Sequence, residues 1–152
     1  MWSRNRRRAA AGFTLVEMLV VLAIIAVLAA VVGPEVLRNV SDASSGAARS
    51  QIEMLGLALD QYRLDNHAYP STEQGLAALR TAPSSGDPPA NWRGPYLKRA
   101  LPADPWGRPY HYLSPGRANP AGYDLFTLGR DGREGGTGED ADLTSWGEEP
   151  RR

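Results

Sequence analysis

The sequence predicts an α+β chain: one long N-terminal helix, its first half in a membrane and its second half packed on a small antiparallel sheet. Three observations predict it. Phe13 to Val32 is the most apolar stretch in the chain, and Met18 to Gly33 carries no charge. Beyond it, apolar residues recur at three- and four-residue steps as far as Tyr62, the pattern of a helix with one buried face. Two short aromatic runs follow, separated by turn residues, and these favour β-strands.

The elements are taken in chain order. Residues 1–12, MWSRNRRRAAAG, are basic and end in small residues, so they read as a leader held on the cytoplasmic side by Arg4, Arg6, Arg7 and Arg8. A 20-residue helix is about 30 Å long, roughly the thickness of the bilayer hydrocarbon. Residues 13–33 are therefore a single membrane-spanning helix, and 34–152 form a domain on the far side. A cleavable secretory signal, with a weak site at Val27-Leu28-Ala29, is the rival reading. Glu17 argues against it, because an intramembrane carboxylate costs several kcal/mol and a disposable signal has no reason to carry it.

Pro34 removes one helical hydrogen bond and should kink or loosen the helix without ending it. Val36, Val40, Ala43, Ala47, Ala48, Ile52, Leu55, Leu59 and Tyr62 form the apolar stripe, and Arg38, Asp42, Arg49, Glu53, Asp60 and Arg63 fall off it. A helix from Phe13 to about Leu64 would be roughly 78 Å long at 1.5 Å per residue, far more than a small core needs. Asn66 to Pro70 ends it. Ser71-Thr72-Glu73-Gln74 reads as a capping box for a short helix over about 72–80. Residues 81–95 are a Pro/Gly/Ser-rich loop. Tyr110 to Leu113 and Tyr123 to Leu128 are the two strands, with Trp106, Tyr110, Tyr112, Tyr123 and Phe126 as aromatic core. Gly129 to Trp146 is a Gly- and Asp-rich loop.

Composition limits the chemistry. There is no cysteine, so neither disulfides nor thiol catalysis is available. His67 and His111 stand in no catalytic motif, and they read as ordinary surface or packing residues. The chain has 17 basic and 17 acidic residues, and the four arginines of the leader leave 13 against 17 beyond it. A net −4 with no basic stripe argues against nucleic acid. In the last loop Asp131, Asp140 and Asp142 alternate with glycines. That composition suits either a disordered acidic tail or a flexible cage of hard oxygens for calcium, and its spacing is not that of an EF-hand.

Gly12-Phe13-Thr14-Leu15-Val16-Glu17, with the apolar run and Pro34 after it, resembles the signature of type IV pilins and pseudopilins. Tyr69 to Leu79 (YPSTEQGLAAL), Asp104-Pro-Trp-Gly107 with Pro109-Tyr110, and Tyr123 to Gly129 (YDLFTLG) look like the major pseudopilin of the type II secretion system, the G subunit. The resemblance spans nearly the whole chain. Arg130 stands where that family often has alanine, and the 81–95 loop is richer in Pro and Gly. Type IV pilus subunits are the alternative, but many carry a C-terminal disulfide loop. Minor pseudopilins tend to lack the Asp-rich loop.

The resemblance implies a pilin-like fold and a structural, non-enzymatic role. A prepilin peptidase would cut between Gly12 and Phe13 and methylate the new Phe13 amine. The subunit would sit in the bacterial inner membrane with its domain in the periplasm. It would form a homopolymer, the pseudopilus, working with minor pseudopilins and an inner-membrane assembly platform to export folded proteins. Glu17 would pair with a neighbour's N-terminal amine, at close range in low dielectric, and set the stagger between helices. The resemblance also carries a calcium site in the last loop. Asp131, Asp140 and Asp142 are expected to supply side-chain oxygens, with the Leu128 carbonyl and a carbonyl near Gly138 beside them.

Overall fold

The structure, a computed structural model, describes residues 13–84 and 86–147; of residues 33, 34 and 36–39 it describes the backbone only. The chain forms two compact units, the first ending at Asn39 and the second beginning at Val40. Helix α1 runs Leu15–Asn66, its backbone helical through Pro34. The expectation that Pro34 does not end the helix is met by its backbone, while its side chain lies outside the described residues. Helix α1 starts two residues later than the apolar run because Thr14 caps it: its Oγ1 accepts a hydrogen bond from the Glu17 amide at 3.2 Å. It stops at Asn66, whose side chain donates to the Tyr62 carbonyl at 2.9 Å. His67 then takes a left-handed conformation, φ 61°, which a helix cannot continue through.

In the first unit, 18 residues from Leu15 to Val32 are apolar enough to cross a membrane, and none is buried within the chain. A continuous exposed surface of that kind requires lipid or other protein.

In the second unit the inner face of α1 contributes Ala48, Ile52, Leu55, Ala58, Leu59 and Tyr62 to the core. The stripe is correct from Ala48 onward. Val40, Ala43 and Ala47 are exposed, the buried face of the helix begins at Ala48, and the side chain of Val36 lies outside the described residues. Leu55 and Leu59 have no exposed surface, and burial stabilises each by about 1.5–3 kcal/mol.

The capping box forms as expected. Ser71 Oγ accepts from the Gln74 amide at 3.2 Å, and Gln74 Oε1 accepts from the Ser71 amide at 3.0 Å. The helix expected over 72–80 does not follow. Gly75, at φ 59° and ψ −168°, breaks the run, leaving turns and a 3-10 helix, Leu76–Leu79. That turn still buries Leu76, Ala78 and Leu79. The 81–95 loop is fixed at its far end by Trp92, whose indole N–H donates to the Ala78 carbonyl at 2.9 Å.

The sheet has three antiparallel strands in the order β1 (His111–Leu113), β2 (Asp124–Thr127), β3 (Leu143–Thr144). The third strand corrects the reading of 129–146 as loop throughout. Its two residues pair with the end of β2, Phe126 opposite Thr144 and Thr127 opposite Leu143. Alternation along β2 corrects one core assignment. Leu125 and Thr127 are buried, while Phe126 faces the other way. It stacks on His111 at 4.9 Å and meets the edge of Trp146 at 5.8 Å.

Candidate functional site

Two regions carry the residues of interest, one at each end of the chain. At the N-terminal end Gly12 lies outside the described residues. Phe13 is exposed, directly ahead of the helix. Thr14 precedes the first turn and Glu17 is the third helical residue, so Thr14-Leu15-Val16-Glu17 has the spacing of a capping box. A carboxylate here complements the positive end of the helix dipole. Sequence reasoning assigned Glu17 and overlooked Thr14; the Thr-x-x-Glu spacing was the available signal. Glu17 is solvent-exposed in the isolated chain and stands alone as a charge between Leu15 and Val32.

The C-terminal region is built outward from Asp104. This carboxylate is 4% exposed. Its Oδ1 accepts from the amides of Trp106 at 3.1 Å and Arg108 at 2.7 Å. Its Oδ2 accepts from the Thr127 hydroxyl at 2.5 Å. Asp104 thereby joins the Pro-Trp-Gly turn to the end of β2 and sets Arg108 beneath the loop that follows. Arg108 Nη1 donates to the carbonyls of Gly129 at 2.8 Å and Arg130 at 2.5 Å.

Past β2 the backbone turns at Gly129, where φ is 65° and an added Cβ would lie 2.6 Å from the Glu139 carbonyl oxygen. Only glycine tolerates both conditions. The Arg130 amide donates to the Glu139 carbonyl at 2.8 Å, so the start of the loop touches its own far side. A 3-10 turn, Gly138–Asp140, brings the chain back to β3. Leu128, at the exit of β2, and Asp142, at the entrance of β3, line one cleft of about 970 Å³ with Phe126 and Trp146.

The three aspartates are on this loop but each has its own local role. Asp131 Oδ1 accepts from the Arg133 amide at 3.1 Å. Asp142 Oδ2 accepts from the Gly135 amide at 2.9 Å. Asp140 is bound by Arg130, whose guanidinium is held more firmly protonated by its hydrogen bond to Asp140, then by the charges of Asp140 and Glu139. Among the described residues no three His, Cys, Asp or Glu side chains converge to hold a metal. Carboxylate oxygens on a glycine-rich loop are the kind of donor calcium takes, but here the three aspartates are engaged locally rather than gathered around one point. Asp104 and Arg108 were not singled out from sequence; the Asp104-Pro-Trp-Gly turn motif was their only signal.

The remaining sequence candidates find packing roles. His111 lies on the open face of the sheet against Phe126, and His67 terminates α1. Trp106, Tyr112 and Tyr123 pack against the core and Tyr110 lies within it.

Comparison with known proteins agrees across both units. A family model described as type II secretion system protein G matches residues 35–146, and one for the prokaryotic N-terminal methylation motif matches residues 7–33. The type II secretion system core protein G of Pseudomonas aeruginosa is 49% identical over 142 residues, 93% of this chain and 98% of that protein. The protein of the same name from Vibrio cholerae is 48% identical, covering 93% and 95%. Among solved structures, the major pseudopilin from the type 2 secretion system of enterohaemorrhagic Escherichia coli matches with a TM-score of 0.60 at 41% identity. That match covers 71% of this chain and 90% of that one.

Proposed function

This chain belongs to the type II secretion system protein G family, and from that premise we propose how it works: as a membrane-anchored subunit that polymerises through its N-terminal helix into the pseudopilus. It is a structural subunit and not an enzyme. The observation that carries the mechanism is the span Leu15–Val32, apolar throughout except for Glu17 and wholly unburied by its own chain. In the membrane, lipid covers that surface. In a filament, copies of the same helix cover it, and burying apolar area at about 25 cal/mol per Å² supplies the driving force. A heterologous contact of this kind is open-ended and generates a helical filament.

Glu17 selects the register. Left unpaired among packed apolar helices, its charge would cost several kcal/mol. A neighbour's free α-amine at Phe13 offsets that cost only at one stagger. This requires cutting between Gly12 and Phe13 by a prepilin peptidase, in keeping with the methylation motif over 7–33. Mass spectrometry of the membrane-extracted protein should find Phe13 at the N-terminus with one added methyl group; an intact leader, or a start at Ala30, would exclude the scheme. Glu17→Ala should insert in the membrane and fold normally yet fail to form filaments. Normal filaments from that variant would remove Glu17 from the mechanism.

The finer assignments follow the same premise. The subunit resides in the inner membrane with its domain in the periplasm, and it meets minor pseudopilins and an assembly platform there. The last loop binds calcium through Asp131, Asp140, Asp142 and the Leu128 carbonyl, and the ion would neutralise carboxylates and tie the loop to the sheet. Binding to the folded state alone stabilises it by about 2.7 kcal/mol when free calcium is a hundredfold above its Kd. The thermal midpoint in calcium should therefore exceed that in EGTA, and equal midpoints would rule the site out.

A further inference from the structure

The acidic loop carries a cation of its own. Arg130 Nε and Nη2 donate to the two oxygens of Asp140 at 3.0 and 3.3 Å, and Nη1 donates to Glu139 Oε2 at 2.9 Å. One guanidinium thus engages three oxygens of two consecutive carboxylates. Its backbone amide meets the Glu139 carbonyl at 2.8 Å, so main chain and side chain close the same gap. On the other flank, Arg108 already occupies the carbonyls of Gly129 and Arg130. Carboxylate and carbonyl oxygens are the donors a calcium ion would ask for, and in this chain two arginines hold several of them.

We propose that Arg130 is the resident counter-cation of this loop, closing Glu139 and Asp140 onto the end of β2 without metal and competing with divalent calcium for Asp140. The competition rests on the reading of the loop as a calcium site; the brace does not. An exposed ion pair is ordinarily worth little, but a bidentate Arg–carboxylate contact with a second carboxylate on the same guanidinium is the favourable exception. An incoming ion competes with the guanidinium for the same oxygens and meets its positive charge, so Arg130 raises the calcium concentration at which the site fills. Lysine would keep the charge and lose the fork, which separates geometry from net charge.

The test uses the full-length chain in detergent micelles, as wild type, Arg130→Ala, Arg130→Lys, Asp140→Asn and the double variant Arg130→Ala/Asp140→Asn. Thermal midpoints are read in EGTA, and calcium affinity is read by titration calorimetry. In EGTA, Arg130→Ala should melt a few degrees lower, roughly 2–6 °C for a small domain. Asp140→Asn should fall less, because Arg130 keeps its contact with Glu139, and the double variant should fall no further than Arg130→Ala. Arg130→Ala should bind calcium roughly three- to tenfold more tightly than wild type, with Arg130→Lys between them. An Arg130→Ala midpoint in EGTA equal to wild type, or additive losses in the double variant, would overturn the brace. An unchanged calcium affinity in a protein that does bind calcium would overturn the competition. If no variant binds calcium while Arg130→Ala still melts lower, the brace stands and the calcium reading of the loop fails.

Discussion

Asp104 accepts three hydrogen bonds at a nearly closed site, and this makes it a residue on which the C-terminal half depends. Asp104→Ala would leave two amides and one hydroxyl without their acceptor. A buried donor left unsatisfied costs about 1–3 kcal/mol, so the loss should be on the order of 3 kcal/mol in a urea melt, with Asp104→Asn retaining part of it. Arg108 would also lose its anchor, so the loop after β2 should gain hydrogen exchange ahead of the sheet. A result under about 0.5 kcal/mol, ordinary for a surface position, would mean that water replaces the carboxylate. Gly129 is a further constrained position. Gly129→Ala meets both a left-handed backbone and the Glu139 carbonyl, and it should cost more than the 1 kcal/mol or so of an unfavourable φ alone.

At the scale of elements, α1 presents different faces along its length. Leu57 and Leu59 are two residues apart, the first 72% exposed and the second fully buried. Leu59→Ala should destabilise the domain by about 2–5 kcal/mol, and Leu57→Ala by less than about 0.5 kcal/mol, as read by chemical denaturation of the two variants side by side. Comparable losses would contradict the packing of this helix. β3 is an element of another kind. Two residues make no strand alone; Leu143 and Thr144 are extended because the loop returns them to the edge of β2. Hydrogen exchange should therefore be faster in β3 than in β2 in any variant that loosens the loop, Gly129→Ala included.

Over the whole molecule, buried phenols set the alkaline limit. Burial pushes the Tyr123 hydroxyl up from 10.0 to about 12, with the charge of Asp60 next in effect. Burial also raises Tyr110 and Tyr112 well above the ordinary value. The folded domain holds these protons more tightly than the unfolded chain does. The stability linked to them is thus fully present below about pH 10 and lost as pH rises through the folded values. Tyrosinate absorbance should show a fraction of the phenols ionising late, together with a falling thermal midpoint above about pH 10; simultaneous ionisation of all tyrosines near pH 10 in a still-folded protein would contradict it. The membrane-spanning unit sets a separate requirement. With Leu15–Val32 unburied, the full chain should need detergent or lipid to stay in solution.

Sequence alone determined whatever depends on local order. The apolar span, Glu17 within it, the amphipathic half of α1 and the Ser71–Gln74 cap were legible because period, charge and capping are properties of neighbouring residues. The two longer strands were legible for the same reason. What the sequence could not decide was anything that needs a partner distant in the chain. The helix after Ser71 was lost to the backbone turn at Gly75. Phe126 was assigned to the core because aromatic character was evident while strand phase was not; the buried Leu125 and Thr127 fix that phase. β3 exists only by pairing across the loop. The acids of that loop were read as a set of ligands, but which oxygens are engaged was decided in three dimensions, where Arg130, adjacent to Asp131 in sequence, reaches Glu139 and Asp140 instead. Hydrogen bonds and ion pairs between distant segments form only once the chain has closed on itself, and no local pattern encodes which of several equivalent donors will arrive there.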